Sequence, residues 1–137
     1  MSLRFIVHHL HPTSARLRFL KSPGGFVVFP TPLPRLSDLL DACTESSSLL
    51  QHPSTYLKQL SETLQINPST LQFVKDFRCW VDTPKQTLVV YLVRVVIEQP
   101  FTPQPGYQWI ELPDSFSLIA IERLMLQRVY EFHLGHD

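Results

Sequence analysis

Residues Ser54–Ile66 read STYLKQLSETLQI, and the fold of the chain turns on this run. Leu57, Leu60 and Leu64 recur at the spacing of one helical face. Ser54 or Thr55 can cap the first turn by accepting from an orphan backbone donor. Asn67 and Pro68 close the run, because a residue before proline avoids the helical region. The predicted helix is poor in acids, with Glu62 as its one carboxylate.

Downstream, Leu71–Val81 reads as a strand, Asp82–Lys85 as a turn and Thr87–Ile97 as a second strand. The second strand is apolar on both faces, with Thr87, Val89, Tyr91, Val93, Val95 and Ile97 on one side. Leu88, Val90, Leu92 and Val96 share the other with Arg94. A strand of this kind belongs in the middle of a sheet covered by helices. Arg94 interrupts an apolar face, and a buried arginine needs a partner. The plain expectation is an ion pair with Glu98 or Glu122; the functional one is an anion-binding arginine at a pocket floor. Gln99–Gly106 is a proline-rich loop, Tyr107–Leu112 a strand, and Asp114 or Ser115 caps a last helix to about Phe132. Leu118, Ile121, Met125 and Val129 mark its packing face.

Upstream, Leu3–Val7 and Ala15–Leu20 alternate as half-buried strands do. Phe26–Phe29 is a short apolar strand, and Pro30–Pro34 is extended because proline fixes φ. Ser37 is predicted to cap a short helix through Thr44, packed by Leu36, Leu39, Leu40 and Cys43. Asp38, Asp41 and Glu45 then fall on one face, read as an ordinary wet face with a cation-binding face as the sharper alternative. Glu45–Pro53 reads as loop. Mixed strands and helices in this order imply a layered α/β domain.

Composition bounds the rest. The 137 residues suit one domain. Twelve basic residues balance twelve acidic ones, so no net field gathers nucleic acid or an anionic membrane. The longest apolar run, Leu88–Val93, is far short of the roughly 20 residues a membrane helix needs. MSLRFIVHH lacks the long apolar core of a signal peptide, and a cytoplasmic location is the expectation. Cys43 and Cys79 have no zinc-site spacing and read as buried, reduced thiols.

Set in this context, the helix is similar to the box of the Nudix hydrolase superfamily. The family box reads Gly, five residues, Glu, seven residues, then Arg-Glu-apolar-x-Glu-Glu-x-Gly-apolar. Its helical half aligns on Lys58–Ile66 and keeps Leu60, Glu62 and Ile66, with Lys58 for the arginine. Gln59 stands for the first glutamate of that half, Thr63 for the last and Gln65 for the glycine. Thr44 and Leu50 fall where the earlier Gly and Glu belong. Trp80, the long β run, the Pro-Gly loop, the YQWIELP segment from Tyr107 to Pro113 and the closing helix continue the resemblance. It implies a single Nudix-like domain over residues 1–137, an α/β/α sandwich with a mixed sheet between helices.

The resemblance also implies a chemistry. Mg²⁺ or Mn²⁺, held by clustered carboxylates, offsets charge on a substrate's phosphoryl oxygens and helps to activate water. With only Glu62 as candidate metal ligand, the expectation is a degenerate member that binds a nucleotide-like ligand or a protein partner, or forms a homodimer. A divergent hydrolase acting on a nucleoside diphosphate linked to another group is the alternative, and an assembly module the second. Arg94, Trp80 and Trp109 are the candidate ligand-binding residues, with Tyr107 and Phe101 as further stacking surfaces.

Two other groups carry weaker signals. His8, His9 and His11 can chelate zinc or manganese if a third ligand arrives; an exposed strand end leading into Pro12 is the plain expectation. Arg16, Arg18 and Lys21 read as a charged edge that discourages strand addition, with phosphate recognition as the alternative.

Overall fold

The computed structural model describes residues 3–40 and 53–135. Strands β1 (Leu3–Leu10), β2 (Leu17–Lys21), β3 (Val28–Phe29) and β4 (Asp38–Leu39) precede helix α1 (Pro53–Leu64). Then come β5 (Leu71–Asp82), β6 (Thr87–Val95), β7 (Gln108–Ile110) and helix α2 (Ala120–Leu134). The sheet order is β4-β5-β6-β1-β2-β7, with β3 also paired to β1. β1 and β6 run parallel, from Leu3 opposite Val89 to His8 opposite Arg94. The other pairs are antiparallel, so the sheet is mixed.

Helices cover both faces. Leu60 and Leu64 of α1 join Leu3, Phe5, Val7, Val89, Tyr91 and Val93 in one apolar layer. Met125, Leu126 and Val129 of α2 join Ile6, Phe19, Leu88, Val90 and Leu92 in the other. This is the α/β/α sandwich expected, with β6 central and buried on both sides. Among the described residues no helix is long and apolar enough to cross a membrane.

Several expected boundaries are corrected. β1 runs on to Leu10 and is buried on both faces; lying parallel beside β6, it cannot be a half-exposed strand. His8 and His9 are therefore wholly buried rather than an exposed strand end. β2 begins only at Leu17, because Ala15 takes a turn conformation at φ 57°. It is flanked by β7, so its basic residues do not guard an edge. Asp38 and Leu39 pair with Asp82 and Val81, so the short helix from Ser37 does not begin there. Asp41, Cys43, Thr44, Glu45 and Leu50 lie outside the described residues.

The second half needs smaller corrections. β6 ends at Val95, leaving Val96 and Ile97 exposed. A 3-10 helix over Leu112–Ser117 takes up the expected start of the last helix. There Glu111 and Asp114 form a capping box, and α2 opens only after Ile119.

α2 also buries a carboxyl. Glu122 in its first turn is 1% exposed. It accepts the backbone N–H of Val27, and burial pushes its pKa from 4.5 to about 7. Oε2 has no partner. An unfolded glutamate releases its proton near 4.5 and this one near 7, so the folded chain holds more protons between those values and loses stability as pH rises through them. Glu122→Gln removes that penalty. Urea titrations should show the variant gaining on the parent by roughly 2–3 kcal/mol between pH 4.5 and 7, then levelling off. A difference that does not change with pH contradicts the assignment.

Candidate functional site

α1 ends one residue before the position that the box alignment sets against a glycine. Gln65, at the family's glycine position, is left-handed at φ 55°, the region that favours glycine. The N–H of Ile66 donates to the Ser61 carbonyl at 3.0 Å and that of Gln65 to the Glu62 carbonyl at 3.3 Å. These paired bonds end the helix in a Schellman motif. Ile66 packs into the apolar layer that buries Leu60. Both apolar positions of the aligned half thus do the work the box alignment gives them.

The polar positions differ. A narrow cleft of about 50 Å³ lies between α1 and the sheet, lined by Phe5, Pro30, Tyr56, Gln59, Leu60 and Thr63. Tyr56, Gln59 and Thr63 share one helix face by their spacing. The cleft therefore looks onto an amide, a hydroxyl and a phenol. The Thr63 hydroxyl donates back to the Gln59 carbonyl at 3.1 Å. Below, the Phe5 ring meets Tyr56 and Phe73 at 5.7 Å and Tyr91 at 6.2 Å. The space is far below the roughly 300 Å³ at which small-molecule pockets start.

Glu62 is exposed and does not line this cleft. Lys58 stands one turn before it, on the same flank of the helix. Among the described residues no three His, Cys, Asp or Glu side chains are grouped to hold a metal. Mg²⁺ needs hard oxygen ligands in near-octahedral array; this donor set does not fit it. The spacing of Tyr56, Gln59 and Thr63 was open to sequence inspection. Phe5 and Pro30, which close the cleft, come from distant segments and were not.

Arg94 lies on the other face, with α2. Its cross-strand neighbours are His8 on β1 and Gln72 on β5. It is half-buried and lines a cavity of about 290 Å³ with Leu10, Pro12 and Val95–Glu98. Neither Glu98 nor Glu122 forms an ion pair with it. Glu122 sits eleven residues before His133 on α2, ~16 Å along the helix, and His133 is the α2 residue over this end of the sheet.

His8 is held in one tautomer. Its Nδ1–H donates to the Val93 carbonyl at 2.9 Å, leaving Nε2 to accept from His133 Nε2–H at 3.0 Å. Burial, then the nearby His133, lowers its pKa from 6.5 to about 3, so it stays neutral. His9 points to the α1 face and donates through Nε2 to the Ile97 carbonyl at 2.9 Å. His11 instead meets Gln99 at 3.2 Å. The histidines are thus tied to the ends of β1 and β6 and do not form a chelate.

The tryptophans lie apart. Trp80 on β5 and Trp109 on β7 are four strand positions from one another in the sheet. Both are half-buried against the α1-side layer. The Trp109 indole N–H donates to the Phe101 carbonyl at 2.8 Å, and the two rings meet edge-on at 5.1 Å. Arg16 forms a forked pair with Glu111 at 2.9 and 2.7 Å, which occupies it as an anion ligand. Cys79 is buried, its thiol pushed up to about 11 by that burial.

No protein-family model matches the chain, and no curated protein does. Solved structures do. A crystal structure of C. elegans Ap4A hydrolase is similar over 95% of this chain and 96% of its own, at 12% identity and TM-score 0.54. A binary complex of C. elegans Ap4A hydrolase is similar over 97% and 98%, at 14% identity and TM-score 0.60. The chain therefore has a Nudix-like fold, the likeness covering nearly its whole length.

The helix end gives a direct check on the alignment. A left-handed residue other than glycine costs roughly 1–2 kcal/mol, partly offset by glycine's larger freedom in the unfolded chain. Gln65→Gly should raise stability by about 0.5–1 kcal/mol in denaturant titrations. A loss of stability means that the Gln65 side chain holds the turn and that the glycine correspondence is accidental.

Proposed function

We propose that this chain is a Nudix-fold binding domain, in which the box helix serves as scaffold and efficient pyrophosphate hydrolysis is absent. One observation carries the reading: the cleft face of α1 presents, beside Tyr56, Gln59 and Thr63 where the aligned box has carboxylates. Hydrolysis needs a metal to spread the phosphoryl charge and a base to position water. Losing a general base alone costs ~10²–10⁴ in rate, and losing the metal ligands adds to that. Glu62, alone and exposed, holds a hydrated Mg²⁺ or Mn²⁺ weakly. The similar structures support a ligand class as the proposal: a nucleotide of the kind Ap4A represents, bound without turnover. Arg94 is the proposed anion contact; Trp80 and Trp109, on the α1 face of the sheet, are proposed as separate indole surfaces and not as part of the Arg94 site.

A second reading, an assembly module, is favoured by one surface. Phe116, Ile119 and Leu124 are 78%, 56% and 56% exposed. They flank or line a groove of about 410 Å³ between the 3-10 helix and α2, formed with Leu112, Ala120 and Arg123. Contiguous exposed apolar side chains mark interaction surfaces. If the second copy of this chain is the partner, light scattering should give a dimer that Phe116→Glu converts to monomer. A monomer at all concentrations removes the self-assembly version.

The principal test is turnover. Incubated with Ap4A and a nucleoside-diphosphate panel in Mg²⁺ or Mn²⁺, the chain should raise its thermal midpoint with a ligand and release no product above background. Metal-dependent product release that Glu62→Gln abolishes contradicts the proposal and restores the divergent-hydrolase alternative.

A further inference from the structure

β1 and β6 are the one parallel pair among the described strands, and their carboxyl ends open on the same side. In α/β sheets, ligands bind outside the carboxyl ends of parallel strands. The cavity of about 290 Å³ lies there, built from the end of each strand and the residues that follow: Leu10 and Pro12 at the end of β1, Arg94 to Glu98 at the end of β6. Arg94 is its cation. Its cross-strand neighbours, His8 and Gln72, carry no negative charge. His8 is kept neutral and its free lone pair is filled by His133. A guanidinium partly withdrawn from water, without an acceptor among the described residues, is a standing demand for an anion.

We propose that this cavity is a phosphate-ligand site, on the face of the sheet opposite the box helix, and that it takes a phosphate monoester of nucleoside-monophosphate size. Arg94 meets the phosphate through its planar fork. Leu10, Pro12 and Ile97 give the ligand's ring an apolar wall, and Glu98 at the rim accepts from the donor edge of a base. The site deepens the binding reading above and rests on it for the nucleotide class, but it places the ligand on the opposite face from α1 and needs no metal.

The test is calorimetric titration of the full chain with AMP, adenosine and inorganic phosphate in metal-free buffer. AMP should bind, with adenosine at least about tenfold weaker, because only AMP engages the guanidinium. Arg94→Gln should weaken AMP by a similar factor, while Arg94→Lys, which keeps the charge and loses the fork, should fall between. Lys85→Gln, a cation removed at the far end of β6, should leave binding unchanged. Circular dichroism checks that each variant folds; if Arg94→Gln does not, Arg94→Lys and the adenosine comparison decide. No AMP binding, equal binding of adenosine, or undiminished binding by the folded Arg94 variants overturns the site. Metal-dependent turnover with AMP binding still sensitive to Arg94 would sink the non-hydrolysing reading and leave this site standing. Absence of both turnover and AMP binding does the reverse.

Discussion

Two strands that run the same way at the centre of the sheet, β1 and β6, organise everything else. A parallel pair cannot be closed by a tight turn, so the chain must travel from one to the other through β2, β3, β4, α1 and β5. Both strands are buried on both faces, and a sheet of that kind is stable only with a helix over each face. α1 and α2 supply these covers. The same pairing brings the ends of β1 and β6 together, and with them Arg94, His8, Leu10 and the residues after Val95. The central pairing thus sets both places where function is sought: the cleft under α1 on one face and the cavity beside Arg94 on the other.

The two faces answer different demands. Under α1 the aromatic group of Phe5, Tyr56, Phe73 and Tyr91 fills the space, and the facing side chains are neutral. Such a surface stabilises the sandwich and leaves little to hold a cation. Beside Arg94 the balance is reversed, with a charge, a roomy cavity and no acidic neighbour across the strands. A fold can use a helix for packing while binding lies elsewhere, since fold alone does not determine function.

Much of the architecture was legible in the sequence. The two-faced apolar run of β6 placed it centrally, and the leucine spacing set α1 almost to the residue. Three features were not legible, each for a physical reason. His8 and His9 looked like a wet strand end because histidine is polar. They are buried because β1 is central and backbone carbonyls of Val93 and Ile97 accept their ring N–H groups, which periodicity cannot reveal. Asp38 and Leu39 sit in a leucine pattern that suits a helix, but pairing with the end of β5 overrides local preference. The start of α2 moved because Glu111 and Asp114 cap a 3-10 turn first. In the site, Gln59, Glu62 and Thr63 could be judged from sequence alone. The cleft that Gln59 and Thr63 face and the Arg94 cavity depend on Pro30, Phe5, Leu10 and Pro12, which only tertiary structure brings near.

The central proposal is that α1 does not hold a divalent ion, and direct binding tests it without reference to any substrate. Electron paramagnetic resonance of free Mn²⁺, titrated with the chain and with a variant carrying Gln59→Glu and Thr63→Glu, is the measurement. The account predicts that the natural chain leaves the Mn²⁺ signal essentially free while the double variant, with three carboxylates restored to one helix, depletes it. Depletion by the natural chain that disappears in Glu62→Gln would contradict it.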